Sequence, residues 1–211
     1  MVTQEESKLT GEVKMPKTPP VILTSSGARG KDLKKAVEVL RRGGIVIFPT
    51  DTVYGIGCRF DSETAIQRIK NIKKSHQDFP ILISDFKQLH QLAQLAPTAL
   101  YLVQKYWPGA LTLVLKSKRG NEKIALRMPD SDLVRTLINT LGAPIIGTSA
   151  NFHGQKASTK YAQLDKKLID MTDYVIRGEC KLGKESTVVD ATTIPVKILR
   201  QGAVRIYDNQ N

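Results

Sequence analysis

The chain has 211 residues, 41% hydrophobic and 25% charged, and its 32 Lys and Arg against 20 Asp and Glu give a net charge of +12. A chain of this length buries roughly 70% of its unfolded surface, and the composition excludes a disordered, collagen-like or coiled-coil protein. The charge points to an anionic partner such as nucleic acid, a nucleotide or an acidic membrane, but no apolar run approaches the roughly 18–20 residues that cross a bilayer.

Residues 1–30 read as a polar tail containing Pro16, Pro19 and Pro20, with Val21, Ile22 and Leu23 able to add a short edge strand. The tail lacks the apolar stretch of a secretory signal, and Glu5, Glu6 and Glu12 argue against a mitochondrial presequence. Leu33, Ala36, Val37 and Leu40 then fall on one helical face, and Gly43-Gly44 stops that helix. Ile45 to Phe48 reads as a buried strand. It runs into a turn of hydroxyls, an acid, a phenol and two glycines from Pro49 to Gly57. Ser62 is placed to cap a helix carrying Ala65, Ile66, Ile69 and Ile72. Pro80 to Ser84 is a strand, Leu89, Leu92 and Ala93 mark a helix, and Pro97 opens another that ends near Trp107-Pro108-Gly109. Strands follow at Leu111 to Leu115 and Ile124 to Arg127. Asp130 is placed to cap the helix of Leu133, Val134, Leu137 and Leu141. Pro144 to Gly147 is a strand, and Ser158 starts a helix with Ala162 and Leu168. Three late strands, Tyr174 to Ile176, Thr187 to Val189 and Val196 to Leu199, suggest a mixed sheet. The expectation is one α/β domain over 31–207, an open twisted mixed sheet flanked by helices, with a short tail at 208–211.

Two cysteines, Cys58 and Cys180, cannot build a disulfide framework or a four-ligand zinc site, which suits a reducing cytoplasmic compartment. His76, His90 and His153 have no metal-binding spacing, so no metal site is expected. Gly178 to Glu185, GECKLGKE, imitates a phosphate-binding P-loop and fails as one. Glu185 has no hydroxyl for Mg²⁺, and the β-prone residues after it offer no helix N-terminus to the phosphates.

The chemistry lies in polar clusters at strand ends, where open α/β sheets bind ligands. These are PTDTVYGIG at 49–57, ALRMP at 125–129, GTSAN at 147–151, EST at 185–187 and LRQG at 199–202, with Lys70, Lys73 and Lys74 as a basic run. An Arg among apolar neighbours, such as Arg127, calls for a carboxylate or phosphate because its charge cannot be lost. A structural salt bridge would meet the same need.

With WPGALTLVL at 107–115, these ordered blocks resemble the YrdC-type L-threonylcarbamoyladenylate synthases from about residue 31 to 206. The resemblance implies that L-threonine takes up bicarbonate or CO₂ as a carbamate. The carbamate attacks the α-phosphate of ATP, and pyrophosphate leaves. A downstream transferase complex then carries the threonylcarbamoyl group to adenosine 37 of tRNAs that read ANN codons. It implies threonine-binding roles for Thr50, Arg127 and Ser186, and ATP-binding roles for Lys70, Ser149, Asn151 and Arg200. No protein nucleophile is implied, and Mg²⁺ is expected to arrive with the ATP. The family has a second basic residue where this chain has Ile72, so Lys73 or Lys74 is the expected substitute at the phosphates. Lys123 is a second departure, read as phosphate attraction or as plain surface charge. The competing reading of the +12 charge is a double-stranded RNA or tRNA binding module of the same fold, without turnover.

Overall fold

In the computed structural model the described residues are 28–206, and their alternating helix and strand signals form a ten-stranded mixed sheet flanked by helices. The short edge strand expected at 21–23 and the tail at 208–211 lie outside the described residues. In chain order the elements are α1 (Ala28–Arg41), β1 (Val46–Phe48), β2 (Gly55–Arg59), α2 (Glu63–Lys73), β3 (Ile81–Leu82), α3 (Phe86–Leu92), β4 (Ala93–Gln94), α4 (Pro97–Tyr106), β5 (Leu111–Ser117), β6 (Lys123–Arg127), α5 (Asp132–Leu141), β7 (Ile145–Ser149), α6 (Lys166–Asp170), β8 (Tyr174–Val175), β9 (Thr187–Asp190) and β10 (Lys197–Arg200). The strands lie in the order β10-β9-β5-β6-β3-β7-β2-β1-β8, with β4 paired to β5. β1–β8, β3–β6 and β5–β9 are parallel, and the other pairs are antiparallel.

The two-residue period of a strand explains the layers. Along residues 45–48, Val46 and Phe48 pack with Ala36, Val37 and Leu40 of α1 and Val134, Leu137 and Ile138 of α5. Ile45 and Ile47 pack with Ala65, Ile69 and Ile72 of α2 and Leu168 of α6. The apolar run is therefore continuous because both faces of β1 are covered. A third cluster joins α3 and α4 to β5, and Trp107 is part of this core, its Nε1 donating to Leu111 O at 2.7 Å.

Four local expectations change. Residues 55–57, read as turn, belong to strand β2. Its glycines serve close approach: a Cβ on Gly57 would stand 2.1 Å from Ile146 O. Ser62 occupies the N-cap of α2 without a side-chain capping bond. Ser131, rather than Asp130, caps α5 by accepting from Val134 N. Ser158 starts no helix. Its hydroxyl donates to Gln163 O, residues 161–163 form a short 3-10 turn, and α6 begins after Asp165, whose carboxylate accepts from Lys167 N.

Candidate functional site

A cavity of about 140 Å³ opens where β1 runs into the 49–53 turn, beside the ends of β6 and β7 and the start of β9. Pockets for drug-sized ligands begin near ~300 Å³, so this space suits a small polar metabolite. Its apolar wall includes Phe48, Leu82 and Val188. Its polar wall includes Thr50, Thr52, Arg127, Ser149, Ser186 and Arg200. Five expected site residues from five separate blocks of sequence thus line one cavity: Thr50, Arg127, Ser149, Ser186 and Arg200.

Arg127 ends β6 and is buried at 7% exposure. Its Nε donates to Gly109 O at 3.0 Å, Nη1 to Thr52 Oγ1 at 3.0 Å, and Nη2 to Asp51 Oδ1. Burial lowers its pKa and the Asp51 carboxylate opposes the shift. A guanidinium has five N–H donors, and these three bonds leave one on each terminal nitrogen, the number a carboxylate takes bidentately.

The turn is wired to the same group. Thr50 Oγ1 donates to Val53 O at 2.7 Å and accepts from Thr52 N at 3.0 Å. Its one hydroxyl hydrogen is thereby used, so Thr52 is the donor in the 2.9 Å contact between the two hydroxyls. The chain Arg127–Thr52–Thr50–Val53 fixes the turn as well as the cavity wall. The false P-loop seals its far side: Leu182 N donates to Asp51 O and Gly183 N to Thr52 O, both at 2.9 Å. No helix follows that loop; β9 does.

On the opposite wall Ser186 Oγ lies 2.8 Å from Thr112 Oγ1 of β5. Arg200 donates through Nε and Nη2 to Ser186 O at 3.1 and 2.9 Å, and its Nη1 stands 3.7 Å from Glu185 Oε2. Thr112, Thr148 and Glu185 line the cavity, and Asp51 and Thr52 hold Arg127; sequence reasoning named none of these five for the site. The signal for Asp51, Thr52, Thr148 and Glu185 was their place inside blocks already singled out. Thr112 is visible only through its pairing with Ser186.

Lys73 closes the β7 side. Its ammonium donates to Ser149 O at 2.8 Å, Asn151 O at 2.6 Å and Asn151 Oδ1 at 2.7 Å, while Ser149 Oγ donates to the same Oδ1 at 2.7 Å. Burial pushes the Lys73 pKa down to about 8, against the pull of Glu185. Asn151 braces this loop and is not among the residues lining the cavity. The other lysines lie elsewhere. Lys70, about one helical turn earlier, pairs with exposed Asp78 at 2.8 Å and does not line the cavity. Lys74 caps α2 in the left-handed conformation, exposed. Ile72 is buried in the α2 core and does not line the cavity. Lys123 pairs with Asp190 at 2.8 Å, a structural ion pair at the β6–β9 side of the sheet.

Among the described residues no group of three or more His, Cys, Asp or Glu is placed to hold a metal ion, and no helix is long and apolar enough to cross a membrane.

The family described as telomere recombination, Sua5/YciO/YrdC, matches residues 38–202. The chain is 37% identical over 189 residues to the Bacillus subtilis threonylcarbamoyl-AMP synthase, covering 82% of this chain and 54% of that one. It is 32% identical over 185 residues to the Vibrio vulnificus threonylcarbamoyl-AMP synthase, covering 81% of this chain and 98% of that one. A crystal structure of Pyrococcus abyssi Sua5 complexed with L-threonine superposes with a TM-score of 0.77 at 33% identity, covering 84% of this chain and 55% of that one. The chain thus spans about half the length of the Bacillus and Pyrococcus relatives and nearly all of the Vibrio one. A YrdC-like sheet, the ordered sequence blocks and a family match over most of the chain agree: the protein belongs to the Sua5/YciO/YrdC family.

Proposed function

We propose that this chain is an L-threonylcarbamoyladenylate synthase, which converts L-threonine, bicarbonate or CO₂ and ATP to threonylcarbamoyl-AMP and pyrophosphate. The observation that carries the reading is Arg127: a buried guanidinium with two N–H donors to spare, in a cavity of amino-acid size. A threonine carboxylate satisfies those donors. The Ser186–Thr112 hydroxyl pair on the opposite wall is suited to the rest of the amino acid, and Thr50 bounds it beside the turn.

In this reading a carbamate oxygen forms a bond to the α-phosphorus as the bond to the departing pyrophosphate breaks. The work of the protein is to hold mutually repelling anions in line, so positioning and cationic screening supply the catalysis. Ser149 and Arg200 stand at the cavity to meet ATP, and Asn151 acts through the loop it braces. Lys73 shapes that loop and adds positive charge beside it. Lys70 and Lys74 reach the triphosphate only if the ligand extends along α2. With Glu185 the one carboxylate lining the cavity, Mg²⁺ fits as an ion carried on the ATP phosphates and water. Burial holds the Cys58 thiol near 12 and Cys180 near 11, so neither is a thiolate at neutral pH, in keeping with attack by the substrate itself.

We assign the catalytic domain to 31–207 and the protein to the cytoplasm. Its product goes to a threonylcarbamoyl transferase acting on tRNA, and the +12 surface is available for tRNA contact. Nothing favours the RNA-binding module without turnover: Trp107, the strongest stacking side chain, is in the core. The deciding experiment supplies ATP, threonine and bicarbonate and follows pyrophosphate. Threonine-dependent release is expected, and its absence with folded protein overturns the assignment.

A further inference from the structure

We propose that Glu185 receives the α-ammonium of the amino-acid substrate and, with Arg127, makes the cavity a zwitterion site. This rests on the amino-acid substrate assigned above. At neutral pH an amino acid presents a carboxylate and an ammonium on one carbon, so a site that binds only its carboxylate leaves a cation among cations. Arg127 and Arg200 line the cavity, and Lys73 lies just behind its β7 wall. In that setting an ammonium is repelled unless an anion faces it. Glu185 is the one acidic residue lining the cavity.

Its placement suits the role. The Glu185 backbone is fixed, its carbonyl accepting from Ala203 N at 2.8 Å, and the next residue, Ser186, is buried and bonded to Thr112. The carboxylate itself is not committed. Its contact with Arg200 Nη1 is 3.7 Å, too long for a hydrogen bond, and among the described residues no other donor reaches it. A carboxylate serving only as counter-ion to an arginine closes to about 2.7–2.9 Å, commonly through two bonds. Glu185 also acts on Lys73 behind the β7 wall, opposing the fall in pKa that burial causes there.

The test compares equilibrium binding of L-threonine with that of 2,3-dihydroxybutanoate, in which a hydroxyl replaces the ammonium. The wild-type protein is expected to prefer threonine by about tenfold or more, the scale of one hydrogen bond to a charged group. Glu185→Gln should cut the preference to about twofold or less while leaving the affinity for the analogue unchanged, and Glu185→Asp should restore part of it. The Glu185 side chain is 37% exposed and makes no short bond, so these variants are expected to fold, and unchanged circular dichroism checks this. If Glu185→Gln keeps the preference, or weakens both ligands equally, the carboxylate only balances Arg200 and the inference is wrong. A wild-type protein that binds neither ligand overturns it as well. Failure of the synthase assignment looks different: threonine is preferred through Glu185 and yet no pyrophosphate forms.

Discussion

At Lys73 a single proton decides how many bonds hold the 149–151 loop. The ammonium has three N–H groups and all three are donated; the neutral amine has two and must give one up. With its pKa near 8, the residue loses that bond as pH rises past about 8, well before an ordinary lysine at 10.5. The sign for global stability is the reverse. The folded pKa lies below the unfolded one, so between about 8 and 10.5 the unfolded chain binds more protons, and this group's contribution to stability grows with pH. ATP affinity is therefore expected to weaken above about pH 8 without a matching loss of melting temperature, and Lys73→Met should remove that pH limb. Titration of ATP binding from pH 7 to 9.5 checks it. An unchanged limb in the variant assigns it to another group.

Among the elements, β2 carries the sharpest geometric demand. Gly57 faces Gly147 across the β2–β7 ladder, and an added Cβ would meet Ile146 O at 2.1 Å, a backbone atom with no freedom to swing aside. Gly57→Ala is expected to cost about 3 kcal/mol, the upper end for overpacking, and to lower the melting temperature by about 6–12 °C for a chain of this size. A melt within 2 °C of wild type, inside the ~±0.5 kcal/mol of neutral substitutions, contradicts the close approach. The same glycines show where sequence reading stops. α1 and α5 were legible because their apolar residues keep the helical period, and β1 because four apolar residues stand between Gly44 and Pro49. Gly55 and Gly57 look locally like turn formers; only the nearness of Phe48 and of strand β7 makes them strand residues. In the site, Arg127, Ser186 and the hydroxyls were legible as polar residues ending apolar runs. The division of labour between Lys70 and Lys73 was not, since it depends on how far α2 runs toward β7. Asp51 and Thr112 matter through partners distant in the chain, which spacing does not reveal.

On the scale of the whole molecule, the charge excess divides into two populations. Arg127, Arg200 and Lys73 sit at or beside the cavity and act at contact distance. Others are exposed, among them Lys31 and Lys34 on α1, while Lys35 and Arg42 share Glu38. Contact charges hold a bound ligand, whereas exposed ones act through a field that salt cuts from a reach of about 10 Å at 0.1 M to about 3 Å at 1 M. Steering of an anion by such a field raises association rates by roughly 10-fold or more at low salt and leaves dissociation alone. ATP association should therefore slow severalfold between 0.05 and 0.5 M salt at a near-constant dissociation rate, and Lys31→Gln with Lys34→Gln should flatten the dependence. Stopped-flow binding separates the two rates. If salt acts mainly on dissociation, the exposed lysines do not steer, and the ATP-directed part of the +12 charge is confined to the cavity.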